Sequence, residues 1–76
     1  MFNEELLGKK VIWVGKEECY GEGIISVVNP YHDGTVEYQN NEHYKVHFKK
    51  MGVFVTIFKK DLVFIWFIIN FVLWNH

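Results

Sequence analysis

The sequence contains no alanine and no arginine, and it has a single cysteine and a single proline among its 76 residues. Arginine is suited to bidentate recognition of phosphate and guanine, so its absence disfavours sequence-specific reading of DNA. The single Cys19 excludes a disulfide within the chain. Residues 1–7 are acidic and lack the basic and apolar segments of a secretory signal. These features predict a cytoplasmic protein.

β-branched and aromatic residues dominate what is present. Valine, isoleucine and threonine total 19, and phenylalanine, tryptophan and tyrosine total 14, whereas leucine occurs four times and methionine twice. The abundant types fit a pleated, half-buried surface, and the best helix formers are scarce. The composition therefore predicts a single all-β domain. Its core is small, because a chain of this length buries only about 60% of its unfolded surface.

The charges are unevenly distributed. The net charge is −1, yet residues 1–42 carry eight acids and three lysines, whereas residues 43–76 carry five lysines and one acid. The near-neutral total gives no overall field that would attract nucleic acid. Lysine pairs at 9–10, 49–50 and 59–60 are consistent with contacts to a phosphate backbone or with solvated strand edges.

Short apolar runs separated by turn-forming residues predict the strands. The runs are residues 11–14, 24–28, 44–48, 53–58 and 62–67. In the third run Tyr44, Val46 and Phe48 alternate with polar residues, which predicts one buried face. The fourth run is apolar on both faces except at Thr56, which predicts a central or doubly covered strand.

The connections between these runs contain turn signals. Residues 16–20 are polar and predict a loop, and Met51-Gly52 predicts a hairpin turn with a left-handed residue. Gly21 and Gly23 predict positive φ or close backbone approach, with a bulge or bend there. Residues 35–38 are either a short strand, which would make 35–48 a separate hairpin, or part of a long excursion.

The order and spacing of these segments resemble an SH3-like barrel of the KOW/Tudor type. The resemblance rests on residues 10–15, on 21–28 with its Gly-Glu-Gly start, on 44–58, and on Asp61-Leu62 as a single helical turn before the last strand. It implies a small five-stranded barrel whose last strand lies beside the first, with an extra apolar C-terminal segment. The implied domain covers the whole chain, with a lead-in at 1–8, the barrel at 9–66 and the extension at 67–76.

Residues 62–74 are apolar except for Asn70. A membrane-spanning helix needs about 20 apolar residues, so this segment is too short to cross a bilayer cleanly. We expect it either to close the barrel and cover its open end or to form a homodimer or partner interface, and membrane association is a weaker alternative. The residues predicted for self-association or core cover are Phe67, Phe71, Leu73 and Trp74.

The sequence contains no pattern typical of catalysis, and we expect no metal and no cofactor. His43 and His47 on a strand would lie about 13 Å apart, too far to share one ion. Cys19 follows two acids, which do not favour a reactive thiolate. Gly21-Glu-Gly23 precedes a strand and lacks the lysine that ends a phosphate loop.

These observations predict a non-enzymatic binding module. The first hypothesis is a protein-binding accessory or inhibitor protein of the phage or mobile-element type that blocks a partner by stoichiometric occlusion. The second is an RNA- or DNA-binding module, as the KOW/Tudor resemblance implies, and the third is a membrane-associated protein. The residues predicted to contact a partner lie in acidic and aromatic loops and are Glu17, Glu18, Tyr20, Glu22, Tyr31, His32, Tyr38 and Tyr44.

Overall fold

The structure is a computed structural model that describes residues 4–31 and 36–65. Five strands form one antiparallel sheet in the order β4-β3-β2-β1-β5. The strands are β1 (Lys10–Trp13), β2 (Glu22–Val28), β3 (His43–Phe48), β4 (Val53–Phe58) and β5 (Leu62–Phe64). The predicted all-β class and the five strands are confirmed. Within the described residues the sheet is open, with β4 and β5 at its two edges; it is compatible with an SH3-like fold, but a closed barrel is not confirmed.

Short helical turns lie in the connections. Two are 3₁₀ turns, Glu4–Leu6 and Lys59–Asp61, and two are single α-helical turns, α1 (Glu17–Tyr20) and α2 (Val36–Gln39). The prediction of a loop at 16–20 is wrong because successive amides close a helical turn there. The amide of Gly21 donates to the carbonyl of Glu17 at 2.9 Å, and φ of Gly21 is 65°, which ends the turn.

Of the two alternatives for residues 35–38, the short strand is wrong over the described residues, which belong to the long excursion. Residues Val36–Gln39 form α2, so no separate 35–48 hairpin exists in the described part of the excursion. The sequence Val-Glu-Tyr-Gln alternates like a strand, but four residues are too few to distinguish a strand from one helical turn.

One face of the sheet carries the core. On β3, Tyr44, Val46 and Phe48 are fully buried, as their alternation predicts. The turn that follows β3 contains Gly52 at φ 69°, which confirms the predicted left-handed residue. The buried apolar side chains come from all five strands and are Val11, Ile25, Tyr44, Val46, Phe48, Ile57 and Leu62.

The β2–β3 pair contains both a close approach and a bulge. Gly23 lies opposite Phe48, and a β-carbon at Gly23 would lie 2.3 Å from Val46 Cγ1, so the predicted close backbone approach is confirmed at this residue. The bulge does not lie at the glycines but between Ile25 and Val27, where the register shifts. The ladder is regular at Gly23, and the extra residue, Ser26, is inserted three positions later.

The last strand lies beside the first, as the resemblance implies. β5 pairs with β1 in antiparallel register, with Val11 opposite Phe64 and Trp13 opposite Leu62. The 3₁₀ turn Lys59–Asp61 joins it directly to β4. The predicted end of this strand at residue 67 lies outside the described residues.

Among the described strands β4 lies at an edge of the sheet, so the first of the two alternatives for this run, a central strand, is wrong. β4 pairs with β3 on one side, and no described strand pairs with its other side. Phe54 is 55% exposed and Val53 is 36% exposed. Within the described residues the inner face of β4 contributes Ile57 to the core, whereas Phe54 on its outer face is exposed and Phe58 is partly covered by Tyr38.

Candidate binding surface

The outer face of the sheet carries an exposed apolar and basic patch, which we call the outer strip and define as Ile24, Val27, Lys45, His47 and Phe54. Ile24 and Val27 are each 40% exposed, in addition to Phe54. The register places Ile24 opposite His47 and His47 opposite Phe54, so these three side chains form one row across β2, β3 and β4. An exposed apolar patch of this kind is typical of an interaction surface.

Contacts between side chains hold the outer strip in place. The rings of His47 and Phe54 stack with their centroids 4.4 Å apart. The ammonium group of Lys45 lies 5.5 Å from the centroid of the Phe54 ring, within the range of a cation–π contact. Phe54 is thus fixed by two neighbours on β3 while more than half of its surface stays accessible.

The bulge in β2 adds Val27 to the outer strip. Val27 pairs with Lys45, and Ser26 is the extra residue between Ile25 and Val27. The hydroxyl of Ser26 donates to the carbonyl of Lys45 at 3.0 Å. In a regular strand without the bulge, Ser26 would take the outer position and Val27 would lie on the core face together with Ile25.

No described strand pairs with the edge of β4 that faces away from β3, and we call this the free edge. It presents backbone hydrogen-bonding groups beside the outer strip. Alternate residues of an antiparallel strand direct their amide and carbonyl groups to opposite sides. The amide of Lys59 donates to the carbonyl of Glu42 at 2.8 Å, and the amide of Asn29 donates to the carbonyl of His43 at 2.8 Å. With the β3–β4 register, these bonds direct the backbone groups of Phe54 and Thr56 away from β3 and toward the free edge.

Two lysine pairs flank β4. Lys50, before the strand, donates to the carbonyl of Glu18 at 2.8 Å. Lys59, after the strand, lies 3.7 Å from the carboxylate of Glu42. The ammonium group of Lys60 lies 5.9 Å from the centroid of the Phe58 ring. The ends of this edge strand are therefore basic and solvated, as is common where a sheet edge must not pair at random.

A second cluster contains two of the predicted partner residues, Tyr31 and Tyr38. Both rings pack around His43, with centroid distances of 6.1 Å and 4.7 Å, and Tyr38 also stacks on Phe58 at 5.2 Å. Tyr31 is 48% exposed. The structure therefore brings these two tyrosines together, but they pack on a histidine of the protein and do not line an empty aromatic cage.

His43 is fully buried beneath this cluster, and both of its ring nitrogens have partners. Nδ1 lies 2.8 Å from the carbonyl of Asn41, and the amide of Tyr31 donates to Nε2 at 3.1 Å. The backbone amide of His43 donates to Asn29 Oδ1 at 2.9 Å. His43 thus fixes both ends of the long connection between β2 and β3 to the sheet.

The acidic residues predicted as partner contacts lie apart from this cluster. Glu17 and Glu18 are exposed on α1, and Glu22 is exposed at the start of β2. Tyr20, at the end of α1, is half-buried, with its ring 4.8 Å from Trp13 and 5.0 Å from Phe48 between centroids. The packing of Tyr20 explains why this loop sequence forms a helical turn.

Tyr44, another of the predicted partner residues, is a core residue. Its side chain is fully buried, and its hydroxyl donates to a carboxylate oxygen of Glu42. Burial raises the pKa of the Tyr44 phenol well above its usual range, and the hydrogen bond to Glu42 and the negative charge of that residue act in the same direction. The alternation that predicts a buried face is confirmed at this residue, and a partner contact of Tyr44 stays a prediction.

The remaining predicted residues lie outside the described part of the chain. They are His32 in the excursion and Phe67, Phe71, Leu73 and Trp74 in the C-terminal segment.

An open cleft of about 410 Å³ lies beside the start of β5. The residues that line it are Asn41, Glu42, Phe58, Lys59, Lys60 and Leu62. The carboxylate of Glu42 already accepts the Tyr44 hydroxyl and pairs with Lys59, so it is not a free general base. Across residues 4–31 and 36–65 no three histidine, cysteine or acidic side chains are placed to share a metal ion.

The described helices are all short, and none of them is long and apolar enough to span a membrane. Comparisons with protein-family models, curated proteins and solved structures gave no match. The site must therefore be interpreted from its own geometry, in which the outer strip and the β4 edge are the most exposed apolar features of the sheet.

Sequence reasoning does not identify the outer strip. Its members are spread over three strands, and their adjacency depends on the order of those strands in the sheet. One signal does point to it: lysine pairs at 49–50 and 59–60 enclose residues 53–58, a placement typical of an edge strand.

Proposed function

We propose that this chain is a non-enzymatic protein-binding module that acts by occupying the surface of a protein partner in a stoichiometric complex. The observation that carries this proposal is the outer strip, in which Phe54 is 55% exposed beside a free strand edge. Aromatic side chains held in place by neighbours are the usual energetic centres of protein interfaces. Occlusion of an enzyme or a defence protein, as accessory proteins of phages and mobile elements perform, is the form of this function that we favour.

The proposal is supported by the way in which Phe54 is held. Because His47 stacks on one side of its ring and Lys45 lies near its face, the side chain loses little conformational freedom on binding. Burying a phenylalanine stabilises a complex by about 2 kcal/mol, which corresponds to about a 30-fold change in Kd. A Phe54→Ser variant should therefore bind the partner about 30-fold more weakly.

Site-specific photo-crosslinking tests this function. The crosslinking amino acid p-benzoylphenylalanine replaces Phe54 in one variant and Val14 in a matched control. Val14 is 51% exposed but follows the end of β1, away from the outer strip. In an extract of the source cell, we expect one defined heterologous product from position 54, removed by excess wild-type chain, and a one-to-one mass for the purified complex. Identical products from both positions, or no product, would contradict the proposal.

A KOW/Tudor-like nucleic-acid-binding module is the second candidate. It is favoured by the contact between Lys45 and the exposed Phe54 ring, since an aromatic face beside a positive charge can stack a base and hold its phosphate. It predicts that a single-stranded RNA of 12 nucleotides binds at 50 mM salt and dissociates steeply as salt rises. Unchanged fluorescence anisotropy of such an RNA at low salt would remove this candidate.

A further inference from the structure

The free edge of β4 has both the backbone geometry and the side-chain geometry of an acceptor for one more strand. The backbone amide and carbonyl groups of Phe54 and Thr56 point away from β3, toward the free edge, as the register of the β3–β4 ladder requires. A four-residue turn at 49–52 joins β3 to β4, and no bulge interrupts the register between these two strands. An extended segment can therefore pair with this edge over several residues.

Two ammonium groups lie over the outer face of this edge strand. Lys45 lies over the Phe54 ring and Lys60 over the Phe58 ring, at 5.5 Å and 5.9 Å from the centroids. Phe54 and Phe58 share the outer face of β4 with Thr56 between them. A strand added at the free edge would thus have one ammonium group near each end of its outer face. Carboxylates among the side chains on that face would complement the charges of Lys45 and Lys60.

The inner face of the same edge is apolar. Val53 is 36% exposed and Val55 is partly buried against the core. Side chains of an added strand alternate between the two faces. The segment that fits has apolar residues on its inner face and carboxylates on its outer face.

We propose that the partner of this chain presents such an amphipathic acidic strand, which extends the sheet at β4. The inference rests on the proposed function and names the partner segment. A second copy of this chain fits poorly, because pairing two β4 edges would place the Lys45 and Lys60 groups of both copies on one sheet face. The C-terminal segment 66–76 contains no acidic residue and does not supply the carboxylates.

Three end-blocked synthetic peptides of ten residues test the charge requirement by fluorescence anisotropy. In each, valine alternates with a second residue, which is glutamate, glutamine or lysine. We expect the glutamate peptide to bind about fivefold to tenfold more tightly than the glutamine peptide, because each of two exposed ion pairs contributes modestly to the affinity. The lysine peptide should bind most weakly. Replacing both Lys45 and Lys60 by glutamine should make the glutamate and glutamine peptides equivalent.

The requirement for strand pairing is tested by removing backbone amides first from the protein and then from the peptide. Thr56→Pro removes an amide that faces the free edge and leaves the β3–β4 ladder intact, a position at which sheets tolerate proline. It should abolish binding, and Thr56→Val, which retains the amide, should not. Circular dichroism checks that the proline variant is folded. N-methylation of alternate amides in the glutamate peptide removes the same hydrogen bonds without altering the protein.

The outcomes separate this inference from the proposed function. Equal binding of the glutamate and glutamine peptides overturns the acidic partner, and unchanged binding after N-methylation overturns strand pairing. No binding of any peptide overturns the inference as a whole. In each case a specific photo-crosslink from position 54 leaves the protein-binding function standing, whereas its absence removes both.

Discussion

Replacing Gly23 by alanine inserts a methyl group into the packed core. A β-carbon at this position would lie 2.3 Å from Val46 Cγ1 and 2.7 Å from Phe48 Cε1, and both of those side chains are fully buried. Neither can move toward solvent without opening the core. Overpacking of this kind costs typically 1–3 kcal/mol, so we expect Gly23→Ala to lower the free energy of unfolding by about 2 kcal/mol. In a domain of this size that loss lowers Tm by about 8–16 °C.

A double-mutant cycle with Val46→Ala tests the cause of this loss. Removing Val46 Cγ1 removes the closest clash, so urea denaturation should show a favourable coupling of at least about 1 kcal/mol between the two substitutions. Gly52→Ala is the matched control, since φ there is 69° and a β-carbon meets nothing within 4 Å. Its cost is backbone strain, which Val46→Ala should not relieve. Additive effects of Gly23→Ala and Val46→Ala within about 0.5 kcal/mol would refute the steric argument.

Further predictions concern Tyr44 and His43 on β3. The pKa of Tyr44 is raised by burial and by Glu42, so its contribution to stability is fully present below pH 10 and is lost as the pH rises further. Relative to Tyr44→Phe, the wild type should lose about 1.4 kcal/mol per pH unit above pH 10 in urea titrations, and parallel curves would contradict this. His43→Phe removes the acceptor of the Tyr31 amide. It should lower the free energy of unfolding by about 1–3 kcal/mol and accelerate hydrogen exchange at that amide, whereas unchanged exchange would show that the bond does not hold the excursion.

Much of the sheet follows from local patterns in the sequence. The alternation of Tyr44, Val46 and Phe48 predicts the buried face of β3, and Gly52 predicts the turn after it. The Asp61-Leu62 pair places a helical turn before the last strand. These features are predictable because each depends on residues that are neighbours in the chain.

The helical turns are less predictable because non-local contacts decide them. Residues 17–20 are polar and short, and their conformation depends on Tyr20 packing against Trp13 and Phe48. The cluster around His43 similarly joins Tyr31 and Tyr38 across the excursion. A sequence shows which aromatic residues are present, but it does not show which ring will cover which.

The position of β4 illustrates the same limit where it matters most for function. An apolar run such as residues 53–58 is compatible with a doubly covered strand and with an edge strand that binds a partner, because in both cases apolar side chains finally face other apolar groups. In the first case these apolar groups belong to the same chain, and in the second case they belong to the partner. In the described sheet β3 covers one side of β4, and Lys45 and Lys60 lie over its outer face. If a strand of another chain pairs with the free edge of β4, the apolar pattern of β4 is the pattern of a binding site. Reversing the charge of both lysines, by Lys45→Glu and Lys60→Glu, should then change the preference from acidic to basic partner strands.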